Sequence, residues 1–285
     1  MSVTRVNGLR VKRVAGSGLR ALVIVVALIA IVGPLALMVI TSLKTHTEIF
    51  TSPIAPPITA AFENYARAWT LGGIPTKALN SLLVTAGSVS LATISGAGAG
   101  YFAARIRPRW VGGAVTLIFA FGLFLPVQSA MVALFVQMQQ LGLLGTLWPI
   151  ILIDTAAQLP LTVVIFSAFF AALPEEIEEA AFVDGLGRIG VLLRIVVPIA
   201  KPAIATSIIL GVVAVWNEFF VALIFATSPS LQTLPIGLAA FKGAFSTDWG
   251  ASLAYSTMVA IPILALYVVL QRYVIDGVAS GAVRG

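Results

Sequence analysis

Six charge-poor apolar intervals, near residues 21–43, 79–104, 111–136, 148–170, 203–226 and 251–271, constrain this chain more than any other feature of its sequence. Each is at least as long as the roughly 20 mostly apolar residues that a helix needs to cross a bilayer. Composition agrees: 59% of the 285 residues are hydrophobic, 10% are charged, and the mean hydropathy is +1.05, far from the soluble average. The chain is therefore read as an all-α integral membrane protein. The division between the third and fourth intervals, at the turn-like QMQQLGLLG of Gln137 to Gly145, is the least sharply marked.

Six spans put both termini on one side, and the basic residues choose the side. Arg5, Arg10, Lys12, Arg13 and Arg20 precede the first span. Arg105, Arg107 and Arg109 follow the second, Arg188, Arg194 and Lys201 the fourth, and Arg272 and Arg284 the sixth. Those are thirteen of the seventeen, against Lys44, Arg67, Lys77 and Lys242 on the other face. The positive-inside rule makes both termini cytoplasmic. The net charge of +6 is thereby explained as membrane topology, since no basic, aromatic-interleaved face for nucleic acid is present. The run Ala21 to Leu43 is too long for a secretory signal core and lacks a small-residue cleavage pattern, so it is read as an uncleaved first helix. Outside, SPIAPP (Ser52 to Pro57) enforces extended chain, and FENYARAW (Phe62 to Trp69) is expected to form a short amphipathic helix on the membrane.

Between the fourth and fifth spans lies a polar, acidic piece, EEAAFVDGLGR, Glu178 to Arg188. Pro174 fits a first helical position, Glu175, Glu176, Glu178 and Glu179 favour the positive end of a helix, and Gly185 suits its stop, with a positive φ expected there. Spacing puts Ile177, Ala180, Ala181 and Asp184 on one nearly flat face, rimmed by carboxylates that suit basic groups of a partner. The same spacing also suits an ordinary solvated loop helix at a membrane surface.

Catalytic signatures do not appear. Gly96, Gly98 and Gly100 lack the strand and βαβ frame of a dinucleotide loop; Gly96 and Gly100 instead have the small-xxx-small spacing of close helix packing. There is no phosphate-binding loop, so nucleotide hydrolysis is not expected of this chain. The lone His46, in a chain without cysteine, makes zinc or triad chemistry improbable, and no cofactor is expected. The polar residues inside spans are the remaining candidates: Asn217 and Glu218 of WNEFF, Asp154, and Gln128. An aspartate costs about 2.5–3.5 kcal/mol at a helix centre, so such groups face water or protein. A translocation path and interhelical hydrogen bonding both satisfy that condition. Pro126 and Pro160 are read as helix benders.

The run EEAAFVDGLGRIGVLLRIVVPIAKPAI, Glu178 to Ile204, resembles the EAA loop of binding-protein-dependent ABC importer permeases. Glu179, Ala180 and Ala181 match its opening, Asp184 and Gly185 its acidic residue and glycine, and Pro198 its later proline. SLK (Ser42 to Lys44), NSLLV (Asn80 to Val84), WNEFF, TLPIGLAAF (Thr233 to Phe241), DWG (Asp248 to Gly250) and the ending QRYVIDGVASGAVRG are similar to the carbohydrate, maltose-type branch. Leu186, Gly187 and Asp154 depart from the pattern.

The resemblance implies six transmembrane helices in the type I ABC importer permease fold. It divides the chain into a cytoplasmic tail over 1–20, a first helix over 21–43, an extracytoplasmic segment over 44–77, a permease domain over 78–272 containing the EAA loop 171–202, and a cytoplasmic tail over 273–285. It implies a sugar as substrate, a second homologous permease forming a heterodimer, two ATP-binding cassette ATPases beneath, and an extracytoplasmic solute-binding protein. Glu179, Ala180, Ala181, Asp184 and Gly185 would belong to a coupling helix seated on the ATPase, and Ser280, Gly281, Ala282, Val283, Arg284 and Gly285 to a tail reaching that interface. A self-contained secondary transporter or channel subunit is the competing class, but it would call for inverted repeats or a selectivity loop.

Overall fold

The computed structural model describes residues 4–243 and 247–282. It is helical, with no strand among the described residues. Helices run over α1 Thr4–Ser42, α2 His46–Thr51, α3 Glu63–Leu71, α4 Ile74–Arg105, α5 Arg109–Gly122, α6 Met131–Gln140, α7 Trp148–Ala171, α8 Glu176–Val183, α9 Arg188–Val191, α10 Val197–Ile199, α11 Lys201–Trp216, α12 Phe220–Phe225 and α13 Trp249–Ala282. Three stretches are long and apolar enough to cross a membrane unbroken: Leu22–Ser42 of α1, α4 and α7. Two further apolar stretches are bent pairs, Arg109–Gly122 with Val127–Gln140 at 83° and Ile189–Ile199 with Lys201–Trp216 at 71°. The start of α13, Trp249–Ala265, is a further, shorter apolar helix.

The first bend falls at Pro126, which the sequence marks as a helix bender, and the second at Ala200, ahead of the fifth interval. In the third interval the helix stops at Gly122, and Pro126 stands in the break before a 3₁₀ turn over Val127–Ala130 that contains Gln128. Proline lacks the N–H that would continue the ladder, so the break falls where the sequence removes a donor. In contrast, α7 runs through Pro160 without interruption. The fifth interval is broken at its middle: α11 ends at Trp216, and α12 starts again at Phe220. WNEFF is therefore a junction, not one and a half turns of continuous helix. Before α11, Leu192–Val196 winds as a π-helix ahead of Pro198.

The chain divides into two compact units, one comprising the residues up to Gly72 with Ala240–Met258, the other Gly73–Ala239 with the residues from Val259 onward. In the first, the SLK segment is buried: Ser42 is fully covered and Lys44 is 1% exposed. The Lys44 ammonium donates to the carbonyls of Ser52 (2.7 Å) and Pro53 (2.8 Å), so the proline-rich loop is folded around a charge that would otherwise be costly to bury. Asn64 of α3 donates to the carbonyls of Ser42 and Lys44, and Arg67 reaches both the Asn64 amide oxygen and Asp248 (3.3 Å). Helix α3 forms as expected, but its inner face, Asn64 and Ala68, is taken up by this network and is not left for lipid. Gly250 is glycine because a Cβ there would meet the Asn64 side chain at 2.7–2.9 Å.

In the second unit α4 and α7 pack along most of their lengths, with α5 and α11 beside them. Burial drives such contacts little in lipid, whose tails are as apolar as leucine; close backbone approach and hydrogen bonds decide them. Gly96 and Gly100 are the close-approach points. A Cβ on Gly100 would lie 2.6 Å from the Phe166 Cβ and 2.8 Å from the Ser167 nitrogen. The hydroxyl of Ser88 donates to the Ile151 carbonyl (3.2 Å). At the start of α4, Asn80 donates to the carbonyls of Ser230 and Gln232, and Ser81 accepts the Leu234 N–H (2.9 Å), which fastens the TLPIG loop to the NSLLV turn.

Candidate functional site

The acidic loop builds a short helix with two different faces. Helix α8 begins at Glu176 with Glu175 at its N-cap, so Pro174 precedes the cap and does not open the helix. The three carboxylates of the first turn, Glu176, Glu178 and Glu179, sit at the positive end of the helix dipole. Its C-terminus closes as a Schellman motif: the Leu186 N–H reaches the Ala181 carbonyl (3.1 Å) and the Gly185 N–H the Phe182 carbonyl (3.0 Å). Gly185 has φ +86°, the left-handed conformation that this motif demands and that a Cβ disfavours.

Ala180 and Ala181 do not share a face. Ala181 is buried with Phe166, Phe170, Val191 and Val196, and Leu186 packs against the same cluster. Ile177, Ala180 and Asp184, at three-and-four spacing, form the outward face, with Glu179 and Val183 also exposed. The nearly flat face expected from two alanines keeps only Ala180, because Ala181 belongs to the opposite side.

Glu178 was not singled out by sequence, because four clustered glutamates read as a solvated helix start. It is 5% exposed. Its Oε1 accepts the Arg105 Nε–H at 2.8 Å and lies 2.6 Å from Arg105 Nη2, while its Oε2 accepts the Tyr101 hydroxyl at 2.5 Å. Arg105 also donates to the Phe170 carbonyl (2.8 Å) and the Leu173 carbonyl (3.1 Å) at the end of α7. Removing one partner of such a buried pair typically costs about 3–5 kcal/mol, because the other charge is left uncompensated. The available signal was Tyr101 and Arg105 at four-residue spacing where α4 leaves its apolar interval. Nearby, Arg107 Nη2 donates to both oxygens of Glu175 (2.6 and 2.8 Å), half exposed and correspondingly weak. A cleft of about 510 Å³ opens beside α8, with Glu175, Glu178 and Glu179 in its walls.

The intramembrane polar residues occupy different settings. Asn217 is exposed at the end of α11, its amide donating to the Val213 carbonyl (2.7 Å). Glu218 stands just before Phe219, the N-cap of α12: its Oε1 accepts the Val221 N–H (3.0 Å) and its Oε2 the Ala222 N–H (3.1 Å), satisfying donors that the restarted helix leaves open. Asp154 on α7 is 3% exposed, and its Oδ2 has no hydrogen-bond partner. Val221 and Ala222 of α12, which Glu218 holds, lie in one buried cluster with Ile150, Ile151 and Ile153, the residues that lead into Asp154 on α7. Gln128 is exposed at the bend before α6. Thus Asp154 and Glu218 are brought into one neighbourhood. Ser280, Gly281 and Ala282 lie in the last turn of α13, and Val283, Arg284 and Gly285 lie outside the described residues. Among the described residues no cluster of three metal-ligating side chains occurs.

Residues 96–279 match the family of binding-protein-dependent transport system inner membrane components. The sequence is 38% identical to the probable ABC transporter permease protein YurM of Bacillus subtilis over 90% of this chain and 85% of that one. It is 32% identical to the sulfoquinovosyl glycerol transport system permease protein SmoH of Agrobacterium fabrum over 95% of both chains. It is also 32% identical to the melibiose/raffinose/stachyose import permease protein MelC of Bacillus subtilis, over 88% of this chain and 91% of the other. The fold matches a chain in the crystal structure of a bacterial ABC transporter involved in the import of the acidic polysaccharide alginate, with a TM-score of 0.77, 24% identity and coverage of 93% and 98%. The chain belongs to the family of binding-protein-dependent transport system inner membrane components, and is a multi-pass membrane protein with the fold of an ABC importer permease.

Proposed function

We propose that this family member is the permease subunit of an ATP-driven importer for a sugar or oligosaccharide, supplying half of the pathway and coupling to a cytoplasmic ATPase through α8. The observation that carries the coupling assignment is the two-faced α8: it is anchored inward by Glu178 and Ala181, ended by a Schellman turn, and presents Ile177, Ala180, Asp184 and Glu179 outward. A small, preorganised face rimmed by carboxylates suits a cleft with basic walls. The segment Glu178 to Ile204 carries the EAA resemblance, and the relatives named above include a melibiose/raffinose/stachyose import permease.

In this reading a second permease completes the pathway, two ATPase subunits bind on the α8 side, and an extracytoplasmic solute-binding protein delivers substrate. Both termini and the loop 171–202 are cytoplasmic, the segment 44–77 lies outside, and the permease domain runs over 78–272. ATP binding closes the ATPase dimer, α8 follows, and the pathway changes its side of access. Asn217, Glu218, Gln128 and Asp154 are assigned to the route or its walls, and the tail 280–285 to the ATPase interface.

The test is co-expression with a neighbouring permease, ATPase and solute-binding protein, followed by reconstitution in liposomes. The expected result is uptake of the sugar retained by the binding protein, dependent on internal ATP. Uptake by this chain alone, driven by an ion gradient, would replace the reading with that of a secondary transporter.

A further inference from the structure

The geometry points to a strut: Arg105, Tyr101 and Glu178 lock α8 to the end of α4, so that the two travel as one body when access switches. These are positioning residues, and the inference rests on reading α8 as the coupling element. The neighbours Glu178 and Glu179 have opposite fates, one enclosed and one exposed. Both oxygens of Glu178 are engaged within the chain, Oε1 by Arg105 Nε–H and Nη2 and Oε2 by the Tyr101 hydroxyl. The guanidinium reaches three segments at once: α4 that carries it, the end of α7 through the carbonyls of Phe170 and Leu173, and α8 through Glu178.

A buried pair of this kind adds little net stability over apolar packing, because desolvation opposes the attraction; what it fixes is relative geometry. The planar fork of arginine is suited to that, since its donors leave at set angles, whereas a lysine would hold a point charge on a flexible stem. A second attachment lies beside it, where Ala181 and Leu186 pack on Phe166 and Phe170. Because α4 packs along α7 for most of its length, a displacement imposed on α8 is delivered to both spanning helices and is not absorbed in a slack loop.

The experiment uses the assembled transporter in liposomes and reads sugar translocated per ATP hydrolysed. The double variant Arg105→Met, Glu178→Leu removes both charges together, so that neither is left buried alone. It is expected to bring down its ATPase in the normal amount while transport per ATP falls at least about fivefold. Arg105→Lys should lie between this variant and the native protein. A second measurement leaves the strut intact: spin labels at Phe102→Cys and Val183→Cys, in a chain naturally free of cysteine, should report the same distance with and without bound ATP. Native transport per ATP in the double variant overturns the strut, and so does a label distance that changes with nucleotide. If instead Gly185→Val and Glu179→Gln transporters couple normally, the coupling role of α8 itself is lost. Impairment of those two beside a normally coupled double variant removes the strut alone.

Discussion

At Gly185 the backbone and not the surroundings sets the constraint. A Cβ there would meet nothing within 4 Å, so the cost of a side chain is the left-handed conformation itself, roughly 1–2 kcal/mol. Gly185→Val is expected to distort the end of α8 and uncouple sugar uptake from ATP hydrolysis at normal expression. Gly185→Asn, which tolerates positive φ, should retain most of the uptake; equal losses would place the cause outside the turn. Glu179 is exposed one position from the enclosed Glu178 and is expected to form a charge-assisted contact with a basic group on the ATPase, worth about 1.5–3 kcal/mol. Glu179→Gln should weaken ATPase binding in a pull-down titration more than Glu175→Gln, whose carboxylate is held by Arg107. Equal effects would assign both to the helix dipole.

Single elements carry two further expectations. Helix α12 exists as a restart, and Glu218 accepts its first free N–H groups. Glu218→Ala is expected to fray α12 and reduce sugar uptake severalfold while assembly and nucleotide binding persist. Cysteines placed at 217 and 218 should differ, the exposed position 217 reacting with a water-soluble thiol reagent in at least one nucleotide state and 218 more slowly. Absence of labelling at both, beside labelled pathway positions, would make the junction structural only. At α2, Thr45 and Glu48 form a capping box, and the second Glu48 oxygen accepts the Ile58 N–H at 3.0 Å. The backbone N–H of Thr45 first, then that of Ile58 and the Thr45 hydroxyl, hold this carboxyl below its ordinary value of 4.5. A lowered folded value means that the loop's stabilisation is complete above 4.5 and is lost as pH falls through the lower folded pKa. Hydrogen exchange at Ile58, corrected for intrinsic rate, should therefore lose protection in acid, and Glu48→Gln should flatten that dependence. Protection unchanged by acid would show that the carboxylate does not hold the loop.

The whole molecule exposes large apolar side chains along α1, from Leu22 to Val32, as a chain meant for lipid and partner helices does. Its contribution to transport is therefore expected only in the assembled complex. Helix α13 continues to Ala282, so deletion of Ser280 to Gly285 removes the end of a helix together with the tail. Transport should fall while membrane insertion stays normal, measured by uptake and by membrane-fraction yield. Full activity after deletion would detach the tail from the ATPase interface.

The sequence by itself determined the class, the number of apolar intervals, the stop of α8 at Gly185 and the close approach at Gly96 and Gly100. Each of these depends on local rules: length against bilayer thickness, a missing Cβ, and a turn that needs positive φ. Tertiary structure alone decided which of the four clustered glutamates faces inward, because Glu178 becomes buried only where Arg105 and Tyr101, 73 and 77 residues earlier, meet it. It likewise separated Ala181 from Ala180 and broke the fifth interval at WNEFF. Hydropathy averaged over a span passes over that break, since Asn217 and Glu218 stand there among apolar residues on both sides, and the freed N–H groups find their partner in the Glu218 carboxylate.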